Sequence, residues 1–188
     1  MNAAKHECDF LQPSPPVIQD MAACGIVRYD FPAMFAQRDW TPEFEAEWLT
    51  LVGAEPAEHK AIAAAADAFR DEFFADLEAL SGELGEAEWP TDMTLLDAVV
   101  ELSEAVGDDN VVRASRLVAQ ERAGQREPPA DLDALPPAER FVRRFTSVGD
   151  AFEARLAEEI GEARARELHL AQDGWPGLRH QTGARCPE

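Results

Sequence analysis

The chain has 188 residues, 46% of them hydrophobic, with 37 acidic against 17 basic residues and a formal net charge of −20. That length and apolar content suit one domain with a real core. A pI near 4.4 excludes the net basic surface on which direct nucleic-acid binding rests, and argues equally against an anionic membrane surface.

No run approaches the ~20 apolar residues that span a bilayer, so no membrane insertion is expected. The first eight residues, Met1 to Cys8, have neither a basic start nor an apolar stretch, unlike a secretory leader. As it stands the chain is expected to be cytoplasmic, and extracytoplasmic only if a leader has been removed. The charge is uneven. Between Thr41 and Asn110 nineteen carboxylates face two basic residues, Lys60 and Arg70, whereas from Val111 onward thirteen carboxylates face twelve arginines.

Residues 1–40 read as an irregular, proline-rich N-terminal arm. Pro13, Pro15, Pro16 and Pro32 interrupt any helical periodicity and favour polyproline-like conformations. Within the arm, Ile26, Val27, Tyr29 and Phe31 are apolar enough to lie as a strap or short strand over a helical core. Thr41-Pro42 opens the helical part, residues 41–173, with a hydroxyl cap and a proline at the first helical position. Phe44, Trp48, Leu51 and Val52 then share a face as far as Gly53.

Pro56 opens the longest predicted helix. Ile62, Ala66, Phe69, Phe73, Leu77, Leu80 and Leu84 recur at spacings of three and four, a stripe made for burial. After Trp89-Pro90, Thr91 or Asp92 is expected to cap a helix carrying Leu95, Leu96, Val99, Val100, Leu102 and Val106. Residues 107–110 turn the chain into a further helix through Val111, Val112, Leu117 and Val118. A linker from Gly124 to about Pro136 leads to a helix bearing Phe141, Phe145, Val148, Phe152, Leu156 and Ile160. Gly149 inside it marks a kink or a close helix contact. A short sixth helix with Leu168 and Leu170 follows Gly161, and residues 174–188 form a tail. The pattern predicts an all-α bundle of about five or six helices, with the irregular arm and C-terminal tail packed on it.

Catalytic and metal signatures are sparse. His6, His59, His169 and His180 fall in no Glu-x-x-His or His-Glu-x-x-His spacing, and no Cys-x-x-Cys pair occurs. His6, Cys8 and Cys24 offer the nearest thing to a soft ligand set for a divalent metal, while His59 and His169 read as surface helix residues. No serine sits in a Gly-x-Ser-x-Gly turn, and no glycine-rich loop feeds a helix to cradle phosphate. The three cysteines are either reduced thiols or include one disulfide, for which Cys24–Cys186 is the favoured pairing because it would tie the two arms together; such a bond implies an oxidising compartment.

The acidic middle is the remaining candidate. Glu43, Glu45 and Glu47 crowd one helix, and Glu83, Glu86 and Glu88 crowd the loop before Trp89. Such clusters are either solvated faces offset by Arg140, Arg143, Arg144, Arg155, Arg164 and Arg166, or a docking surface for a basic partner, or weak cation sites. Trp175, between Gly174 and Pro176, either plugs the end of the core or anchors a partner.

Trp40-Thr41-Pro42-Glu43-Phe44 and Leu135-Pro136-Pro137-Ala138-Glu139 lie nearest to the Leu-Thr-x-x-Gln element that opens helices in the small helical stress and metal-sensing proteins of the Spy/CpxP type, and the layout loosely resembles theirs. The resemblance implies a non-enzymatic binding or chaperone-like role outside the cytoplasm. The residues themselves point to a helical interaction or regulatory protein with a protein partner or self-association. A metal-binding sensor and an enzyme of unrecognised type are the alternatives.

Overall fold

The computed structural model describes residues 13–35, 42–85, 89–90, 93–170 and 178–183. The first element departs from the polyproline expectation, for Pro15–Cys24 is an α-helix, α1. Proline at the first helical positions lacks only an amide hydrogen that has no intrahelical partner there, so Pro15 and Pro16 start the helix instead of preventing it. Gly25 ends it at φ 68°, its amide donating to Ala22 and that of Ile26 to Met21, a left-handed stop that suits glycine. The apolar strap follows as strand β1, Val27–Phe31.

β1 pairs antiparallel with β2, Leu178–Thr182, in a two-stranded ribbon with Val27 opposite Thr182 and Phe31 opposite Leu178. β2 lies in the tail, where the sequence shows no apolar alternation. It is recruited by the open edge of β1, and edge pairing needs backbone groups more than side-chain pattern.

The helical body runs α2 (Pro42–Leu51), α3 (His59–Leu84), α4 (Leu95–Val106), α5 (Asp108–Arg122), α6 (Pro137–Thr146), α7 (Val148–Ile160) and α8 (Glu162–Leu170). Eight α-helices therefore stand among the described residues, in an all-α architecture with one small ribbon. α3 begins three residues after Pro56, because Pro56 to Glu58 form a turn closed by the Glu55 amide on the Glu58 carboxylate at 2.8 Å. α4 is capped by Thr94, not by Thr91 or Asp92. Its hydroxyl accepts from the Asp97 amide and the Asp97 carboxylate accepts from the Thr94 amide, each at 3.0 Å, a reciprocal box that satisfies two orphan donors.

The helix expected through Phe141 and Ile160 is broken at Ser147, φ −112° and ψ 9°. The hydroxyls of Thr146 and Ser147 donate back to the carbonyls of Val142 and Arg143, both at 2.7 Å. Such back-bonding loosens a helix, and α7 restarts at Val148.

α3 is central, with α2, α4, α6 and α7 packed on it. Of its predicted stripe, Ile62, Ala66, Phe69, Phe73, Leu77 and Leu80 are buried, and Leu84 at the end is half-buried. Phe35 of the N-terminal segment sits 5.5 Å from Phe69 and 5.1 Å from Phe152 between ring centroids, and Phe69 lies 5.3 Å from Phe152. The arm thus completes the core, each buried aromatic ring contributing about 1.5–3 kcal/mol. α5 carries α1 on one side and α6 on another, and the ribbon lies across α5, α6 and α7.

Candidate functional site

Two sets of charges stand out, one at the surface and one inside. At the surface, the arginines of the C-terminal half reach back into the acidic middle. Arg164 grips Glu58 with two hydrogen bonds of 2.9 Å and also donates to the Gly53 carbonyl at 2.7 Å. Arg144 pairs with Asp76 at 3.3 Å and Arg140 with Glu83, whereas Arg143 pairs with Glu121 inside the C-terminal half. The Arg164 hydrogen bond holds the Glu58 carboxyl below its ordinary range, against a smaller opposing effect of burial.

The offset is partial. Glu72 and Glu78 on α3, Glu101 and Glu104 on α4, and Asp108 and Asp109 opening α5 are exposed and make no ion pair with a described residue. The last four flank the one-residue break at Gly107, and Val100 beside them is 48% exposed.

Inside, β1, α7 and α8 converge on His169, which is 4% exposed. Its Nε2 lies 2.8 Å from the carboxylate of Asp30, itself 5% exposed, and its Nδ1 meets the carboxylate of Glu153. Arg166 binds Glu153 at 2.9 Å from the other side. Burial alone would lower the His169 pKa; the hydrogen bond and charge of Asp30, followed by those of Glu153, outweigh it and leave the imidazole above its usual value. Two carboxylate acceptors on two ring nitrogens require two N–H donors, so the ring is an imidazolium. Gly149 makes the approach possible, since a Cβ there would lie 2.1 Å from Asp30 Oδ1. The sequence offered a kink or a close helix contact at Gly149; the close neighbour is instead a carboxylate of strand β1.

Around this cluster a cavity of about 60 Å³ is lined by Arg28, Tyr29, Asp30, Arg122, Thr146, Asp150, Arg166 and His169 among others. Burial pushes the Tyr29 hydroxyl up to about 12, and its ring meets Phe145 edge-on at 5.1 Å. Arg122, at the end of α5, donates to the Arg28 carbonyl at 2.6 Å and to the Thr146 carbonyl at 2.7 Å. Burial pulls its guanidinium down, with Asp150 and then Asp30 acting against the shift. The residue as a whole is still solvent-exposed, so the guanidinium keeps its charge. Beyond Arg122 a larger cavity of about 300 Å³ opens between α1 and α5.

Of the residues singled out from sequence, Glu47 and Glu83 are exposed, and Glu83 is bound by Arg140. The backbone of Glu43 and Glu45 lies in α2. Glu86, Glu88, Trp175, His6, Cys8 and Cys186 lie outside the described residues. Cys24 is disulfide-bonded, and in that state it offers no thiolate to a metal. No group of three His, Cys, Asp or Glu among the described residues is arranged to hold a metal ion, and no described helix is long and apolar enough to cross a membrane.

His169 corrects its sequence reading, being buried where a surface residue was expected. The signal was present in α8, where Ala165, Leu168 and His169 form an i, i+3, i+4 stripe and all three are buried. Asp30 was legible in the same way, as a lone acid inside an apolar strap. His59 is half-buried, with its Nε2 3.3 Å from the Ala54 carbonyl. No family model, curated protein or solved structure matches the chain.

Proposed function

We propose that this is a non-enzymatic helical interaction protein whose acidic edge, along α4 and the start of α5, docks a basic protein segment. The observation that carries the reading is the fate of the charges. Arg140, Arg144 and Arg164 pair with carboxylates of their own chain, while Glu101, Glu104, Asp108 and Asp109 stay exposed with no ion pair to a described residue. Exposed Val100 adds an apolar contact among these acids, a combination suited to an amphipathic lysine- and arginine-rich segment. His169 supports a binding role over a catalytic one: both of its nitrogens are held by carboxylates, an arrangement that orders a core and leaves no position for proton exchange with a substrate.

Fluorescence anisotropy with a labelled arginine-rich peptide tests the reading on the full chain. Affinity is expected to fall by about tenfold when salt rises from about 50 to about 300 mM, and by about tenfold or more in a variant with Glu101→Lys, Glu104→Lys, Asp108→Lys and Asp109→Lys. Binding that ignores these reversals in a folded variant would remove the docking edge from consideration.

A further inference from the structure

The cavity between α1 and α5 has an apolar wall and, at one end, charges that answer one another. Ile18, Met21, Ile26 and Ala119 form the wall. Arg28, Arg122 and Asp150 line both this space and the smaller polar cavity around His169, so they stand where the two meet. The volume of about 300 Å³ lies at the lower bound of small-molecule pockets, which run from ~300 to ~1,000 Å³. A water molecule takes ~30 Å³ of the liquid and a methylene group is of similar size, so roughly ten non-hydrogen atoms fit.

We propose that this cavity binds an uncharged medium-chain aliphatic alcohol, its chain on the apolar wall and its hydroxyl accepting from Arg122 and donating to Asp150. The lack of charge follows from the balance at that end. Asp150 and then Asp30 already act on the Arg122 guanidinium, and Arg28 is engaged within its own chain. A carboxylate head would set a second anion beside Asp150, and an ammonium head a further cation beside Arg122, each without a free counter-charge.

The choice of hydroxyl follows from hydrogen bonding. Two of the five guanidinium donors of Arg122 are fixed by the carbonyls of Arg28 and Thr146, which holds the group in place with further N–H donors. An arginine already ordered loses little more freedom when a ligand arrives. Asp150 is an exposed carboxylate, an acceptor only. A hydroxyl serves both, since it donates and accepts in one small group. The wall itself is built: Gln19 of α1 donates to the Ala123 carbonyl at 3.0 Å, and Gln125 donates to Gln19 at 2.6 Å, fastening α1 to the end of α5. Met21, unbranched and polarizable, adapts to an aliphatic chain. The site shares no residue with the acidic edge, so it stands or falls apart from the docking reading.

Isothermal titration calorimetry of the full chain with 1-octanol tests the proposal, with 1-hexanol as a probe of the wall and octanoate and octylammonium as probes of the head. Octanol is expected to saturate one site with Kd on the order of 0.1–1 mM, a value in keeping with its few non-hydrogen atoms. Hexanol, which buries two fewer methylenes, is expected to bind about tenfold more weakly. Octanoate and octylammonium are each expected to bind about tenfold more weakly than octanol. Asp150→Asn, a change at an exposed side chain, removes the anion beside Arg122 and is expected to raise octanoate affinity about tenfold. Ile18→Trp fills the cavity from half-buried Ile18 and is expected to abolish saturation by octanol while circular dichroism remains unchanged. Octanoate or octylammonium binding the native chain as tightly as octanol, octanoate affinity unmoved by Asp150→Asn, unchanged octanol binding in Ile18→Trp, or only non-saturable heat would each overturn the proposal.

Discussion

His169 donates from both ring nitrogens, to Asp30 and to Glu153, and so is protonated in the folded chain. In the unfolded chain the imidazole titrates near its ordinary value of about 6.5, whereas in the folded chain its pKa lies higher. A raised native value means that the stabilisation is fully present below about 6.5 and is lost as pH rises through the native pKa. The groups facing the ring are Asp30 and Tyr29 from β1, Glu153 and Asp150 from α7, Arg166 from α8 and Arg122 from α5. Tyr29, pushed up to about 12, stays neutral through that window. Urea unfolding is expected to show stability falling from about pH 6 toward about pH 9 in the native sequence, with a shallower fall in His169→Gln; equal slopes in the two proteins would deny the imidazolium its part. Gly149 is the second residue on which this cluster turns. Adding a Cβ drives it to 2.1 Å from Asp30 Oδ1, so Gly149→Ala is expected to cost about 2–4 kcal/mol. Most of that cost is expected to disappear in an Asp30→Ala background, and a strictly additive double-mutant cycle would show that the strain lies elsewhere.

At the scale of elements, what could be read from sequence was whatever a local period encodes. The stripe from Ile62 to Leu80 is a regular 3.6-residue pattern, and it is the buried face of α3. The strap at Val27 and Phe31 could be read from its apolar density and became β1. Three features escaped because they are set by partners distant in sequence or by a single hydroxyl. β2 exists because β1 offers it an edge. The break between α6 and α7 depends on the hydroxyls of Thr146 and Ser147, whereas apolar spacing runs through it without a fault. The Thr94–Asp97 box lies three residues inside the expected start of α4, where Thr91 and Asp92 present the same chemistry to a reader. The candidate site was less legible than the fold, since His169, Asp30 and Glu153 come from three elements and no sequence spacing joins them. The cysteines give this scale its own prediction. A Cβ on Gly183, at the end of β2, would lie 2.0 Å from the Gly25 carbonyl oxygen, so the end of β2 runs beside the end of α1 and the disulfide-bonded Cys24. Cys186 is three residues further along the chain than Gly183. Non-reducing peptide mapping is expected to return a Cys24–Cys186 cross-link. A Cys8–Cys24 peptide would instead mean that the bond closes the N-terminal arm on itself.

The whole molecule carries its charge as a gradient. The middle third, from Thr41 to Asn110, holds almost all of the net −20, and the fold answers it by packing the arginine-bearing helices α6 and α7 on α3, with α8 packed on α7. Arg164, Arg144 and Arg140 meet Glu58, Asp76 and Glu83 across that boundary. Those pairs are partly exposed, and such pairs are worth about 0–1 kcal/mol each. They are outnumbered by carboxylates that repel one another over distances comparable with the Debye length, about 10 Å at 0.1 M salt. Two opposing effects of salt follow, since it weakens the attractive pairs and also screens the excess of like charge. With a net charge this far from zero the repulsion is the larger and longer-ranged sum. The melting temperature is therefore expected to rise by several degrees, on the order of 1 kcal/mol of added stability, between about 10 and about 300 mM sodium chloride. The rise should be smaller in a variant with Glu101→Gln, Glu104→Gln, Asp108→Asn and Asp109→Asn, from which part of the repulsion has been removed. A melting temperature that falls with salt would show instead that the arginine pairs dominate, and that the acidic edge is electrostatically balanced within its own chain and holds no surplus charge for a basic partner.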